Sequence, residues 1–126
     1  MNLLGLDYGK VKIGLAFADG ELAEPLKVIY RPDLLEQIAE VCRELKIEKL
    51  IMGISEGQSA VKTKEFAITL IDAVGLPIEY QDETLTSQEA VAKMKEVGKR
   101  VKDEDAISAA LILQGYLDGQ SNNITI

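Results

Sequence analysis

Leu3-Leu4-Gly5-Leu6-Asp7-Tyr8-Gly9-Lys10-Val11-Lys12-Ile13-Gly14-Leu15-Ala16-Phe17 is the stretch on which the fold of this 126-residue chain turns. An apolar run ends on a carboxylate, a glycine-marked turn follows, and a second apolar run begins, which reads as two strands of a hairpin. A lone carboxylate carried into a core costs several kcal/mol or protonates, so Asp7 needs a partner, a cation or a wet strand end. Two readings of Asp7 stay open from the residues alone. Either it caps its own turn backbone, or it faces a metal ion or a phosphate at the opening of a sheet.

Strand one spans Asn2 to Asp7 and strand two Lys12 to Ala18, closed by Asp19-Gly20. The unbroken apolarity of the first predicts a central strand covered on both faces. Glu24-Pro25-Leu26-Lys27-Val28-Ile29-Tyr30 follows, where Pro25 and the alternating Leu26, Val28 and Tyr30 predict an edge strand with one wet face. The period then changes. Asp33 is placed as N-cap of a helix, with Glu36 three residues on, and Leu34, Leu35, Ile38, Val41, Cys42 and Leu45 form its buried stripe. Glu48 to Ile54 is a fourth strand and Ser55-Glu56-Gly57-Gln58-Ser59 a loop at its carboxyl end. A second helix carries Phe66, Ala67, Leu70, Ile71 and Val74 inward and stops at Gly75. Ile78 to Glu83 alternates as a fifth strand. Thr86-Ser87-Gln88-Glu89 is a capping box before a third helix that Gly98 ends, and Asp103-Glu104-Asp105 starts a last helix with Ile107, Ala110, Leu111, Leu113 and Leu117 apolar. The polar tail from Gly119, residues 119–126, is expected to fray.

This order predicts an α/β fold with a five-stranded mixed sheet, a three-strand antiparallel meander plus two parallel strands, and helices on both faces. Length fits one domain spanning residues 1–126. Ligands of such sheets collect at the carboxyl ends of neighbouring parallel strands. Those ends present Asp7, then Glu56, then Asp82 and Glu83.

Composition narrows the chemistry. The absence of histidine removes histidine-based triads, general bases and zinc sites, and Cys42, the single cysteine, is expected to be a buried apolar group. Without an apolar run of membrane length or a leader pattern, the expected location is the cytoplasm, away from membranes. A net charge of −7 opposes non-specific nucleic-acid binding, although acid clusters that hold cations themselves raise the negative count. Three carboxylates on separate elements could hold Mg2+ or Mn2+, which prefer hard oxygen ligands. Two such ions about 4 Å apart would activate water and stabilise the leaving oxygen in a phosphodiester displacement. Lys10, Lys12, Lys62, Lys64, Lys99, Arg100 and Lys102 are the candidates for phosphate contacts, and Tyr8 offers a ring to a base.

Leu6-Asp7-Tyr8-Gly9 with Ile13-Gly14-Leu15-Ala16, Asp82-Glu83-Thr84-Leu85-Thr86-Ser87-Gln88-Glu89-Ala90, and Asp105 through Leu117 together resemble the three signature blocks of the YqgF/RuvX family. These are small bacterial proteins of the RNase H-like fold, described as Holliday-junction-resolvase-like and as nucleases maturing the 5′ end of pre-16S rRNA. The resemblance implies that Asp7, Glu83 and Asp105 are the catalytic, metal-binding acids, with Glu56, Asp82 and Asp103 as second choices, Asp103 being favoured as a helix N-cap. It implies a nuclease acting on structured RNA ahead of branched DNA, as monomer or homodimer. Lys10, Lys12, Lys99, Arg100 and Lys102 would grip the substrate. Thr84 stands where the family pattern has arginine, Gly53-Ile54-Ser55 lacks the family's proline, and Lys12 replaces an arginine or lysine-arginine near strand two.

Two other classes compete. The Asp-Tyr-Gly hairpin is similar to the first phosphate loop of the sugar kinase, Hsp70 and actin superfamily, but enclosing ATP takes two such lobes. A non-catalytic nucleic-acid or ribosome-associated binding module would fit the missing arginine and the acidic charge. It gives no reason to retain clustered carboxylates facing a polyanion, and metal-dependent cleavage separates the two.

Overall fold

The computed structural model describes residues 1–54, 57–82 and 104–122, together with Ala92 and Glu96. Strand β1 (Leu3–Tyr8) lies at the centre of the sheet, as its apolarity predicts. It pairs antiparallel with β2 (Lys12–Ala18), and β2 pairs antiparallel with β3 (Glu24–Tyr30). On its other side β1 runs parallel to β4 (Lys49–Ile54), which runs parallel to β5 (Ile78–Asp82). The order β3-β2-β1-β4-β5 is the mixed five-stranded sheet expected from the sequence.

Period-two alternation divides β1 between two cores. Leu4 and Leu6 join Ile13, Leu15, Ile29, Leu50 and Met52 beneath helices α1 (Leu34–Glu44) and α2 (Gln58–Val74). Leu3 joins Ala16, Ala18 and Ile51 on the opposite face, covered by α3 (Glu104–Asn122). This second layer is built from small residues: Ala106, Ala109 and Ala110 of α3 are fully buried, and a Cβ on Gly5 would stand 2.8 Å from that of Leu113. Such contacts bring helix and sheet close together, which fixes where the helix begins.

Several local expectations need correction. Asp33 occupies the N-cap position of α1, but its backbone is left-handed (φ 69°) and its side chain makes no capping hydrogen bond. The clean alternation expected of β3 is broken by a bulge: Leu15 pairs with Lys27 and Ala16 with Pro25, leaving Leu26 as the extra residue. Leu26 packs towards the α1–α2 core while Pro25 and Ile29 are buried and Tyr30 is exposed. Helix α2 starts at Gln58, so Gln58 and Ser59 are helical rather than loop, and Ile71 is largely exposed instead of buried. Gly75 does stop that helix, at φ 67°, with its N–H bonded to the Ile71 carbonyl. Helix α3 runs as far as Asn122, and residues 123–126 of the tail expected to fray lie outside the described residues. The predicted helix after Thr86 lies outside the described residues except for Ala92 and Glu96, which are both helical. Cys42 is buried, and burial pushes its thiol up to about 11, the charge of Arg43 opposing this only in part.

The ends of β4, β5 and α3 are tied by one lysine. Lys49 Nζ lies 2.8 Å from Glu79 Oε1 and donates to the Tyr116 hydroxyl at 3.0 Å. The hydrogen bond to Glu79 holds Lys49 above its usual pKa, and the same bond holds Glu79 below its own. The lysine contribution is complete below the unfolded lysine pKa and is lost as pH rises through the raised one. The glutamate contribution is present above the unfolded carboxylate pKa and is lost as pH falls through the lowered one. A double-mutant cycle with Lys49→Met and Glu79→Gln, followed by urea unfolding, is expected to give a coupling of about 0.2–1 kcal/mol at neutral pH. That coupling should shrink towards both the acidic and the alkaline limits.

Candidate metal and phosphate cleft

At the carboxyl end of β1 the chain turns through Gly9 and Lys10 into β2, and one open cleft of about 280 Å³ forms there. Its lining is Asp7, Tyr8, Gly9, Lys10, Val11 and Lys12 from the hairpin and Asp105 from the first turn of α3. Asp7 is half-buried and stands opposite Gly14 in the β1–β2 register. Gly14 in turn lies against the main chain of α3, where a Cβ would collide with the Asp105 carbonyl and come within 3.0 Å of the Ala106 nitrogen. A residue without a side chain at position 14 therefore lets two distant acids reach the same cleft. A carboxylate in this first turn also meets the positive end of the α3 dipole.

Among the described residues, two carboxylates, Asp7 and Asp105, and two ammonium groups, Lys10 and Lys12, line the cleft of a chain that is acidic as a whole. Lys12 Nζ lies 2.6 Å from Asp105 Oδ2, with the two side chains 45% and 33% exposed. Hard carboxylate oxygens, one already receiving a cationic partner, suit a divalent cation such as Mg2+ or Mn2+. Asp7 and Asp105 are the residues that would hold it. Among the described residues no three carboxylates or cysteines converge. The third expected acid, Glu83, lies outside the described residues, as do Glu56, Asp103, Lys99, Arg100 and Lys102. Asp82 is described but does not line this cleft. It ends β5, two strands from β1, and alternates to the sheet face opposite Gln81, whose side chain meets Gly115 of α3.

Arg31 carries no sequence signal of a role here. Its guanidinium donates from Nε to the Lys10 carbonyl and from Nη2 to the Tyr8 hydroxyl at 3.1 Å, and its N–H bonds the Val11 carbonyl at 3.1 Å. The end of β3 thus clasps the turn that carries Lys10. Nothing in local sequence connects residue 31 to residue 10; only the register of Lys12 with Tyr30 does. Tyr8, considered from the sequence as a ring for a base, has one face stacked on Phe66 of α2 at 4.6 Å between centroids. Gly14→Ala is expected to force α3 away from β2, at a cost of about 1–3 kcal/mol. Lowered urea stability together with weaker Mn2+ binding would be measured, whereas a substitution neutral in both would contradict this packing.

Comparison with known proteins agrees with the sequence blocks. A family model described as RuvX, Holliday junction resolvase, matches residues 1–119. A protein of Syntrophomonas wolfei named "Putative pre-16S rRNA nuclease" is 37% identical over 96% of this chain and 96% of its own length. One of an Anaeromyxobacter strain with the same name is 40% identical over 95% and 98%. Among solved structures, T. thermophilus RuvC in complex with a Holliday junction substrate superposes with a TM-score of 0.65 at 16% identity, covering 96% of each chain. The fowlpox virus resolvase, also with junction DNA, gives 0.59 at 11% identity over 95% of this chain and 99% of its own. At these identities the structural matches establish the RNase H-like fold.

Proposed function

This chain belongs to the RuvX family, and from that premise we propose that it is a divalent-metal-dependent nuclease that trims structured RNA at the 5′ end of pre-16S rRNA in the cytoplasm. The observation that carries the reading is the meeting of Asp7 and Asp105, almost a hundred residues apart in sequence, in one cleft beside Lys10 and Lys12. Glu83, at the matching motif position, is proposed as the third acid. Relatives bearing the pre-16S rRNA name at 37% and 40% identity favour RNA as substrate. The family description favours a second reading, cleavage of branched DNA.

Each residue has a definable task. Asp7 and Asp105, with Glu83, hold Mg2+ or Mn2+, which when bound supplies Lewis-acid activation of water and stabilises charge on the leaving oxygen. Lys10, exposed on the turn, neutralises a phosphate of the incoming strand. Arg31 holds that turn in place through the Lys10 carbonyl. Gly14 keeps Asp105 at the sheet surface. Lys99, Arg100 and Lys102 are proposed as further phosphate contacts. Among the described residues no helix is long and apolar enough to cross a membrane.

Purified protein is expected to cut a pre-16S leader RNA in Mn2+ and not in EDTA. Asp7→Asn should lower cleavage by more than about 100-fold, since losing even an outer-shell partner of a metal site costs about 10- to 100-fold. Preferential cutting of a four-way DNA junction would favour the second reading. Undiminished activity of Asp7→Asn, or no activity in either metal, would leave a binding module as the better description.

A further inference from the structure

The ion pair between Lys12 and Asp105 raises a question that a simple phosphate-gripping role for Lys12 does not answer. Lys12 Nζ already sits 2.6 Å from Asp105 Oδ2, inside the cleft, on the carboxylate that would ligate a metal. A divalent cation bonds carboxylate oxygen at about 2.1 Å when it is Mg2+, so ammonium and metal would crowd a single carboxylate. Two like charges a few ångströms apart repel, and the more mobile one gives way. Lys12 is the more adaptable of the two: it opens β2, nearly half its side chain is exposed, and a flexible four-carbon stem carries its charge. Asp105 is anchored on α3 and pinned there by the contact of its main chain with Gly14.

We infer that Lys12 is the resident counter-cation of Asp105 and changes partner when a divalent cation takes that carboxylate, its ammonium then binding a phosphate oxygen of the substrate strand. The inference rests on the metal-dependent nuclease reading and adds a substrate contact that forms only after metal loading. The described charges of the cleft support the order of events. With Lys12 on Asp105 the two lysines balance the two acids, and a polyanion gains little; once a divalent cation enters, the cleft is positive and Lys12 is released towards the strand. Metal and substrate binding are thereby coupled, each favouring the other.

Two measurements on Lys12→Met test this. Mn2+ binding, followed through the paramagnetic resonance signal of free Mn2+ without any substrate, is expected to tighten roughly three- to tenfold when the competing ammonium is removed. Binding of a short RNA is expected to weaken about fivefold or more in Ca2+, and by less than about twofold in EDTA, where Lys12 stays with Asp105. Lys12→Arg, which keeps the charge, should remain close to wild type in both. Thermal unfolding checks each variant first, with Lys12→Gln as replacement should Lys12→Met lose its fold. Unchanged or weaker Mn2+ binding, or equal loss of RNA affinity in Ca2+ and EDTA, would overturn the partner exchange alone. Failure of the wild type to bind Mn2+ would overturn the metal-site reading and the exchange with it.

Discussion

The first turn of α3 lies on β2 with no side chain between them, because residue 14 is glycine and the carbonyl of Asp105 takes the space a Cβ would need. Much of the functional architecture depends on that contact. Behind it, Gly5, Ala16 and Ala18 on the sheet meet Ala109, Ala110 and Leu113 on the helix, so the close approach continues along the interface. Small residues bury little apolar area each, but they let main chains approach, and a rigid interface of this kind holds a carboxylate in place better than a longer side chain at its edge would. The opposite face uses the other solution. There Leu, Ile and Met side chains from the sheet fill the space beneath α1 and α2, and the helices sit on bulk apolar volume.

Among the described residues the two lysines of the cleft offset its two acids, on a protein that is acidic overall. Overall charge would slow a polyanion, yet the approach to β1 carries Lys10 on an exposed turn, Lys12 at the start of β2, and Arg31, just past β3, bracing the turn through the Lys10 and Val11 carbonyls. Charge placed beside the acids matters more for a phosphodiester than the sum over the surface, because screening in physiological salt is effective beyond about 8 Å. The Lys49 cluster at the far end of the sheet does a different job, joining β4, β5 and the C-terminal half of α3.

Much of the fold was legible in the chain. Unbroken apolarity placed β1 at the centre, periods of two and then 3.6 separated strands from helices, and Gly75 marked a helix end. The errors have local causes. Asp33 was read as a side-chain cap, and a left-handed backbone turns that side chain away from the role. A bulge at Leu26 shifted the alternation of β3, which no residue type there announces. That Phe66, fifty-eight residues later, stacks on one face of Tyr8 is a long-range contact that no local pattern reports.

The sequence by itself determined the order of elements, the sheet type, the lack of histidine chemistry and the acids eligible to bind metal, since these follow from local periodicity and composition. Tertiary structure alone decided that Asp7 and Asp105, of the acids among the described residues, line one cleft. It brought Asp105 to Asp7 and left Asp82 on the other face two strands away, because strand register and the approach of α3 to Gly14 are long-range properties of the packed chain. It also gave Lys12 an acidic partner and made Arg31 the brace of the turn, contacts across a register that no spacing along the chain encodes.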